Sequence, residues 1–257
     1  MDIHNKNIVL TGASSGIGLA VLKLLLDYKG VRIVAVARHI ETIPSIDGIV
    51  FPFSADLSNK RGVDSLFEYA QSVFVEIDVF IANAGYAFLE KLSNPDWKHT
   101  EDIFALNTFS PIYSLQKFAE SGTNKPRCFV GTISAVAQVP LPYYSLYCST
   151  KAALHQFIEA FRYEAASDLQ VMAVYPVATR TAFFEKAANG KQPLIPFLSQ
   201  TAETVAKAIV KGIEQDKKRV YPSFLFRIFK LFGGIFPFIF PLYSALEKRK
   251  VDKRYHL

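Results

Sequence analysis

The chain has 257 residues, half of them hydrophobic, which is enough for a sizeable core and excludes a disordered or fibrous protein. Its two cysteines, Cys128 and Cys148, form neither a disulfide framework nor a metal-ligand spacing, so we predict no metal site and a reducing, cytoplasmic location. The net charge of +6 argues against a nucleic-acid-binding surface, because its excess is confined to the residues from Lys217 onward, with ten Lys or Arg against two acids.

The first predicted element is a short strand, Asn7 to Leu10, which leads through the glycine-rich turn Thr11 to Gly18 into a helix. Glycines let the backbone approach a pyrophosphate, and a helix N-terminus offers free N–H groups. This arrangement predicts a dinucleotide cradle. No basic stretch followed by an apolar run comes before it, so we expect no signal peptide.

The second predicted strand, Val31 to Ala37, ends directly before Arg38. Domains that bind NAD usually carry an acidic residue near this point, whereas an arginine accommodates a 2′-phosphate. The sequence therefore favours NADP(H) over NAD(H), with an ordinary surface arginine as the alternative. The short stretch before Ile49 leaves little room for a crossover helix and predicts a loop.

A third strand, Ile49 to Ser54, places Asp56 near its C-terminal end, where ligands bind in parallel sheets. The alternative role of Asp56 is to cap the next helix, Lys60 to Phe74. A fourth strand, Ile77 to Ala82, runs into Asn83-Ala84-Gly85, whose small residues permit close approach of a ligand.

A helix is predicted from Trp97 to Glu120, and it contains Asn107. Asparagine has below-average helix propensity, so Asn107 either faces solvent or marks a kink with a polar contact near the site.

The fifth strand, Arg127 to Ile133, ends at Ser134, and a helix follows from about Tyr147 to Ala166. Tyr147 and Lys151 are four residues apart and share one helix face. An ammonium near a phenol lowers the pKa of the phenol, which makes Tyr147 a candidate general acid or base, with Ser134 holding a substrate oxygen. A solvated pair on a helix surface is the alternative.

Later elements complete the pattern: a strand from Val171 to Tyr175, a helix from Thr201 to Gln215 and a short strand from Arg219 to Tyr221. The irregular segment from Val177 to Pro196 is a candidate substrate lid. Strands that alternate with helices predict an α/β fold with a doubly wound parallel sheet, a Rossmann fold, in a single catalytic domain over residues 1–220.

Residues 221–257 form a predicted C-terminal extension that is rich in aromatic and basic residues. The stretch from Tyr221 to Leu246 contains seven phenylalanines. Its apolar run holds two glycines and two prolines and is shorter than a membrane-spanning helix needs. An amphipathic helix beside basic residues predicts peripheral contact of residues 221–250 with an anionic membrane, and packing on the domain or on an interface is the alternative.

Taken together, these motifs resemble the short-chain dehydrogenase/reductase family in its compact form. The residues that carry the resemblance are Thr11-Gly12 with Gly16 and Gly18, Asp56, Asn83-Ala84-Gly85, Asn107, Ser134, Tyr147 and Lys151. They occur in the family's order, and the resemblance covers residues 7 to about 181.

The resemblance implies catalytic roles for four side chains. Tyr147 exchanges a proton with the substrate oxygen, and Ser134 positions the carbonyl. Lys151 holds the nicotinamide ribose and tunes Tyr147, and Asn107 anchors a water relay to Lys151.

Further residues are implied to bind the cofactor. Those at the pyrophosphate are Gly12, Gly16, Ile17 and Gly18. Those along the rest of the cofactor are Ser14 and Arg38 at the 2′-phosphate, Asp56 at the adenine, Asn83 beside the ribose, Tyr147 and Lys151 at the nicotinamide end, and Thr179 and Thr181 at the carboxamide. Val177 departs from the family, which usually has glycine after this proline, and we expect it to narrow the pocket or shift the lid.

The resulting hypothesis is an NADP(H)-dependent oxidoreductase that interconverts a carbonyl compound and a secondary alcohol. The resemblance implies that the C-terminal region lies near the substrate mouth, and its aromatic composition then favours an apolar substrate such as a lipid, steroid, retinoid or long-chain compound. The alternatives are a non-enzymatic NADP(H)-binding sensor or scaffold and an NAD-linked alcohol dehydrogenase. The resemblance also implies a homodimer or homotetramer.

Overall fold

Nine β-strands occur in the computed structural model of the chain, which describes residues 1–122, 125–188 and 199–255. They are β1 (Asn7–Thr11), β2 (Arg32–Ala37), β3 (Val50–Ser54), β4 (Val79–Ala82), β5 (Arg127–Thr132), β6 (Leu169–Val174), β7 (Ala178–Arg180), β8 (Ser199–Thr201) and β9 (Arg219–Val220). Seven of them form one parallel sheet in the order β3-β2-β1-β4-β5-β6-β9, and β7 pairs with β8.

The strand order reverses between β1 and β4, which are neighbours in the sheet although β2 and β3 lie between them in sequence. In open parallel sheets, ligands bind outside the carboxyl ends of the strands at such a reversal. The predicted doubly wound parallel sheet is confirmed, and its topology places a crevice above β1 and β4.

Nine α-helices connect or follow the strands in the described residues. They are α1 (Gly16–Leu25), α2 (Lys60–Val73), α3 (Trp97–Phe104), α4 (Ser110–Glu120), α5 (Ser145–Phe161), α6 (Ala182–Ala187), α7 (Ala202–Glu214), α8 (Phe224–Ile235) and α9 (Ile239–Tyr255). A π-helical segment, Ala105–Phe109, joins α3 to α4. Residues 38–49, which the structure describes throughout, contain no helix, as the sequence predicted.

Side chains that alternate along the strands fill two apolar layers, one on each face of the sheet. Ile8 and Leu10 of β1 point towards α1 and α7, whereas Val9 points towards α2, α4 and α5. In the second layer the ring of Phe80 stacks between Phe67 and Phe129, with ring centroids 5.4 Å apart on both sides. Both faces are covered, which explains the near-continuous apolar strands of the sequence.

The C-terminal helices α8 and α9 form a hairpin against the domain. Phe226 of α8 is only 2% exposed and packs in one cluster with Ala135, Val139 and Val177. Gly233 lets the two helices approach closely, because a Cβ atom there would lie 2.1 Å from the ring of Phe240. One face of the hairpin is therefore part of the domain's packing.

None of the helices in the described ranges combines the length and the apolar character that a crossing of a membrane requires.

Candidate active site

The glycine-rich turn after β1 opens the N-terminus of α1 towards the crevice. Gly12 and Gly16 have φ values of 68° and 55°, in the left-handed region that favours glycine. A Cβ atom on Gly18 would lie 2.1 Å from the Gly12 carbonyl oxygen, so only glycine allows this turn to pack on the helix. The N-cap residue Ser15 makes no side-chain capping bond, which leaves the first N–H groups of α1, near Ile17, available to an anion.

Arg38 and Asp56, which follow β2 and β3, lie near each other and line the crevice together with Ser14 of the glycine-rich turn after β1. The carboxylate of Asp56 accepts a hydrogen bond from the Ser58 N–H at 3.0 Å. This bond, assisted by nearby Arg38, lowers the pKa of Asp56 below its ordinary value. Asp56 does not cap α2, because Asn59 accepts the N-cap hydrogen bond from Gly62.

Asn83 fixes the end of β4 to the end of β1. Its backbone N–H donates to the Thr11 hydroxyl at 2.9 Å, and its side-chain amide donates to the Thr11 carbonyl at 3.2 Å. The side chain also lies under Gly12, whose Cβ position is 3.0 Å from the Asn83 amide nitrogen. Asn83 thus holds the floor of the crevice and lines it.

Ser134, Tyr147 and Lys151 converge on the other end of the crevice. Ser134 follows β5 and is buried; its hydroxyl donates to the Pro176 carbonyl at 3.4 Å and accepts from the Val136 N–H at 3.3 Å, and it lies close enough to Tyr147 to influence the pKa of that phenol. The Lys151 ammonium donates to the Thr132 carbonyl at 2.9 Å and lies 5.9 Å from the centroid of the Tyr147 ring. The end of β5 and the helix α5 therefore place a hydroxyl, a phenol and an ammonium group next to each other.

The expectation that Lys151 lowers the pKa of Tyr147 is not met by the groups in the described structure. Burial raises the pKa of the Tyr147 phenol, and the nearby Ser134 hydroxyl opposes this shift without cancelling it. Burial also lowers the pKa of Lys151 to about 8. Burial dominates because both side chains are largely withdrawn from water, where the charged form loses most of its solvation.

Asn107 lies within the π-helical segment and is fully buried behind Gly85. Its side chain accepts from the Tyr86 N–H at 3.0 Å and donates to the Tyr86 carbonyl at 2.8 Å and to the Thr150 hydroxyl at 3.2 Å. The expected kink and polar contact take the form of a π-helical segment, a common feature of functional sites. Asn107 lies near Lys151. A Cβ atom built on Gly85 would be 3.0 Å from the Asn107 side-chain oxygen and 3.6 Å from the Lys151 ammonium.

The two threonines after β6 have different environments. Thr179 is buried and lines the crevice, with its hydroxyl donating to the Val177 carbonyl at 2.9 Å. Thr181 instead caps α6 by accepting from the Phe183 N–H, and its side chain lies over Gly16. The first part of the predicted lid forms β7 and α6, and its residues 189–196 lie outside the described residues.

The crevice has a volume of about 870 Å³ and contains both groups of residues. This volume is within the range of sites for small molecules and cofactors. Predicted site residues that line it are Gly12, Ser14, Ile17, Arg38, Asp56, Asn83, Ser134, Tyr147, Lys151 and Thr179. Gly16, Gly18, Asn107 and Thr181 lie behind this surface and support it.

Several lining residues were missed by the sequence analysis as site residues. Apolar ones are Tyr86, Ala87, Phe88, Phe183 and Phe184, and charged ones are Lys98, Asp102 and Lys186. Only their position in the sequence could have indicated them. Tyr86 directly follows Asn83-Ala84-Gly85, and Phe183 and Phe184 come shortly after Thr181. The Tyr147 ring packs on Phe183 with centroids 5.6 Å apart, so the proton-transfer group adjoins an apolar wall.

Val177 has a structural explanation. Its side chain lines the crevice and packs in the cluster that contains Phe226 of α8. A glycine at this position would offer nothing to that cluster. Val177 is therefore a shared wall between the crevice and the C-terminal hairpin.

Helix α9 is also bonded to the loop that precedes α5. The Ser244 hydroxyl donates to the Pro140 carbonyl at 2.7 Å, and the phenol of Tyr143 donates to Asp252. Tyr143 has a φ of 67°, a conformation that non-glycine residues rarely adopt. The hairpin thus holds the loop that leads into Tyr147.

The described residues fit a nicotinamide dinucleotide. A Cβ atom at Gly12 would lie 2.9 Å from the Ala84 backbone, so only glycine lets the turn pack against the residues that follow β4 and line the crevice. The open N-terminus of α1 and Arg38 offer positive groups at two separate points of the crevice.

A family model described as short chain dehydrogenase matches residues 6–192, which is more than half of the chain. The matched range contains every residue of the candidate site and ends before α7.

Two curated proteins illustrate the sequence similarity. The uncharacterized oxidoreductase YxnA of Bacillus subtilis is 27% identical over 91% of this chain and 70% of its own length. The 11-beta-hydroxysteroid dehydrogenase-like protein 3 of Arabidopsis thaliana is 28% identical over 82% of this chain and 71% of its own length.

Among solved structures, a short chain dehydrogenase from Burkholderia cenocepacia in complex with NADP has a TM-score of 0.76 and 22% identity. The match covers 91% of this chain and 94% of that one. A likeness at this identity concerns the fold.

Proposed function

The chain belongs to the short-chain dehydrogenase family, and we propose that it is an NADP(H)-dependent oxidoreductase that interconverts an apolar carbonyl compound and its secondary alcohol. The oxidoreductase class and the use of a nicotinamide cofactor follow from the family. The observation that carries the finer proposal is the convergence of Ser134, Tyr147 and Lys151 on the crevice into which the glycine turn opens. A protein that only binds a cofactor has no need of this proton-transfer set.

The preference for NADP(H) is supported by the end of β2. Arg38 and Ser14 line the crevice there, and the position that would hold an acid for a ribose hydroxyl is Arg38 itself. We assign these two residues to the 2′-phosphate and Asp56 to the adenine.

The remaining cofactor contacts are assigned along the crevice. Gly12, Gly16, Ile17 and Gly18 form the pyrophosphate cradle. Asn83 supports the floor beneath the ribose, Lys151 binds the ribose hydroxyls, and Thr179 and Thr181 act at the carboxamide. The bound nicotinamide supplies or accepts the hydride.

Proton transfer is assigned to Tyr147. Because burial raises the pKa of its phenol, Tyr147 keeps its proton at neutral pH and is suited to donate it to a carbonyl oxygen held by Ser134. Lys151 and Asn107 are assigned to the path that returns a proton to Tyr147.

The apolar character of the substrate is supported by the walls beside Tyr147. Phe183 and Phe184 pack in one cluster with Tyr147, with the ring of Phe183 5.6 Å from that of Tyr147, and Val177 lines the crevice towards the hairpin. A steroid dehydrogenase-like protein is among the relatives, which agrees with a hydrophobic alcohol or ketone as the substrate class.

We also propose a homodimer or homotetramer through the helices that carry Asn107 and Tyr147. Trp97 and Phe109 are exposed there, at the start of α3 and at the end of the π-helical segment. The division into a catalytic domain, residues 1–220, and an extension, residues 221–257, belongs to the same proposal, as does peripheral membrane contact through residues 221–250.

The test is NADPH oxidation by the purified protein with a series of carbonyl compounds, from small aldehydes to long-chain and steroid ketones. Tyr147→Phe is expected to reduce kcat/KM by about a hundredfold to ten-thousandfold, the usual contribution of general acid catalysis. Tyr163→Phe is the matched control, because Tyr163 is 94% exposed and lies outside the crevice.

The outcomes separate the competing functions. Turnover that rises with substrate chain length and is lost in Tyr147→Phe supports the proposal. Tight NADPH binding without turnover of any carbonyl compound would favour a sensor or scaffold. Turnover with NAD and alcohols alone would favour an NAD-linked alcohol dehydrogenase, and unchanged turnover in Tyr147→Phe would contradict the mechanism.

A further inference from the structure

The outer face of α8 is a continuous apolar stripe. Of the sixteen large apolar side chains that are exposed in the described residues, ten lie between Phe224 and Leu246. The six on α8 are Phe224, Leu225, Ile228, Leu231, Phe232 and Ile235. Their spacing of i, i+1, i+4, i+7, i+8 and i+11 places them on one side of the helix, opposite the buried Phe226 and Gly233.

The turn between α8 and α9 extends this stripe. Phe236 and Phe238 are exposed on either side of Pro237, with ring centroids 6.0 Å apart. These rings form an aromatic tip at the end of the hairpin. Their exposure is not a consequence of poor packing between the helices, because Gly233 and Phe240 are in close contact just inside the tip.

The exposed residues of helix α9 are apolar near the tip and basic towards its C-terminal end. Leu242, Leu246, Arg249 and Lys253 follow each other at intervals of four, three and four residues, so they share one exposed helix face. The half of this face near the tip is apolar, and the half far from it is basic. This gradient suits a surface with an apolar interior and a negatively charged boundary.

Charge decides between two occupants of the face. Residues 221–255 contain seven Lys or Arg and two acids. Both acids form ion pairs within α9, Glu247 with Lys250 at 2.8 Å and Asp252 with Lys248 at 2.5 Å. A second copy of the hairpin would bring like charges together, whereas an anionic lipid surface would neutralise them.

We propose that the outer face of the α8–α9 hairpin docks on an anionic lipid bilayer. The aromatic tip and the α8 stripe enter the interfacial region of one leaflet, and the basic end of α9 lies against the headgroups. Interfacial helices with one apolar and one basic region bind in this manner, through buried apolar area together with attraction to anionic lipids.

The docked orientation places the crevice next to the bilayer. Phe226, on the inner side of α8, packs in the same cluster as Val177, and Val177 lines the crevice. An apolar substrate can then pass from the leaflet along the hairpin to Tyr147 without crossing bulk water. This path rests on the oxidoreductase activity of the proposed function, whereas the docking rests only on the peripheral membrane contact of the hairpin and not on catalysis.

The test is co-sedimentation of the full chain with large vesicles, either of phosphatidylcholine alone or of phosphatidylcholine with about a third of phosphatidylglycerol. We expect binding to the anionic vesicles and at least tenfold weaker binding to the neutral ones, from about 1 kcal/mol per basic residue near the surface. Phe236→Ser with Phe238→Ser is expected to weaken anionic binding by about tenfold or more, because two aromatic side chains no longer leave water.

Matched variants separate the two contributions. Arg249→Glu with Lys253→Glu is expected to remove the preference for anionic vesicles. Lys207→Glu with Lys211→Glu changes the net charge equally on the exposed side of α7 and is expected to leave binding within about twofold. Val75→Ser removes an apolar side chain that is 97% exposed far from the hairpin and controls for the tip variant.

Sedimentation of the parent with anionic vesicles, lost in the tip variant and kept in the α7 and Val75 controls, would support the proposal. The absence of binding to either vesicle would overturn it, as would equal binding to both. If the unmodified protein binds no vesicles and its oligomeric mass in solution falls when the tip is changed, the face is used for self-association. That result would also overturn the docking proposal. Turnover of a small soluble ketone, measured on the same samples, reports on the proposed function separately.

Discussion

The central sheet and the C-terminal hairpin are both rich in phenylalanine, yet their rings have opposite surroundings. Phe80 and Phe129 are completely buried in a stack that the chain itself completes. Phe224 and Phe238 are more than half exposed, although the helices that carry or adjoin them pack firmly on the domain. The sheet therefore buries its apolar side chains within the domain. The hairpin buries the apolar side chains of one face against the domain and leaves those of the other face exposed. The difference indicates that the second face is matched to something outside the chain.

The largest effect we expect from this contrast is on stability. Phe129→Ala should lower the free energy of unfolding by about 3–5 kcal/mol, because it leaves a cavity within a closed stack. Phe238→Ala should change it by no more than about 0.5 kcal/mol, because the ring is already in water. Chemical denaturation of both variants measures the two values. A similar loss in both would show that the hairpin ring is buried in the folded protein.

The domain that contains the sheet and the hairpin also differ in the exposure of their basic side chains. Lys151 of α5 is buried in the domain, whereas Arg249 and Lys253 on the outer face of the hairpin are exposed. The pKa of Lys151, about 8 in the folded protein, is below its ordinary value of 10.5, so the unfolded chain binds more protons between these pH values. The contribution of Lys151 to stability is therefore largest above pH 10.5, falls as pH decreases to about 8 and is constant below.

Lys151→Met removes this titration. We expect the stability difference between parent and variant to change by about 3 kcal/mol between pH 8 and pH 10.5, in favour of the parent at the higher pH. Denaturant unfolding of both proteins across this range measures the difference, in which other titrating groups cancel. If the difference in stability between the parent and the variant does not change with pH, the Lys151 ammonium is exposed to water.

A smaller effect concerns the arginines of the two regions. Arg38→Ala should weaken NADPH binding by about tenfold to a hundredfold, the range expected for loss of a charged hydrogen bond, and leave NADH binding nearly unchanged. Arg227→Ala, which removes a guanidinium lying over Phe224 on the hairpin, should affect neither cofactor. Fluorescence titration with both cofactors measures this. Equal affinities of the parent for NADPH and NADH would refute the assignment of Arg38.

A further pair of variants distinguishes two adjacent glycines within α8. Gly233→Ala should destabilise the hairpin by about 1–3 kcal/mol, because the added methyl group meets the Phe240 ring. Gly234→Ala points into open space and should be neutral or stabilise the helix by up to about 1 kcal/mol. Limited proteolysis within α8 and α9 compares them. Equal cleavage of the two variants would contradict the close packing at Gly233.

The sequence predicted the parts of the site that depend on strand ends and helix faces. Ser134 follows an apolar strand and Tyr147 shares a helix face with Lys151, so the parallel topology alone brings them towards one edge. The π-helical segment at Asn107 was predicted only as a kink, because it depends on hydrogen bonds to Tyr86 and Thr150 from other parts of the chain.

Two features depended on burial, which periodicity does not determine. The pKa of Tyr147 was predicted to fall through its lysine neighbour, whereas enclosure by Phe183 and other groups raises it. Helix α8 is apolar on both sides, so its pattern does not reveal that Phe226 faces the domain and Phe224 does not. In both cases the answer depended on neighbours that are remote in sequence.

The bonds from α9 to the loop before α5 have a consequence for hydrogen exchange. Pro140 and Tyr143 are both bonded to α9, and the Tyr144 amide donates to the Leu141 carbonyl within the same loop. Release of α9 breaks both bonds at once, so we expect the amides of α9 and of this loop to exchange faster when α9 is released. A surface that holds α9 in place is then expected to slow exchange at Tyr144, a residue that is itself buried within the domain.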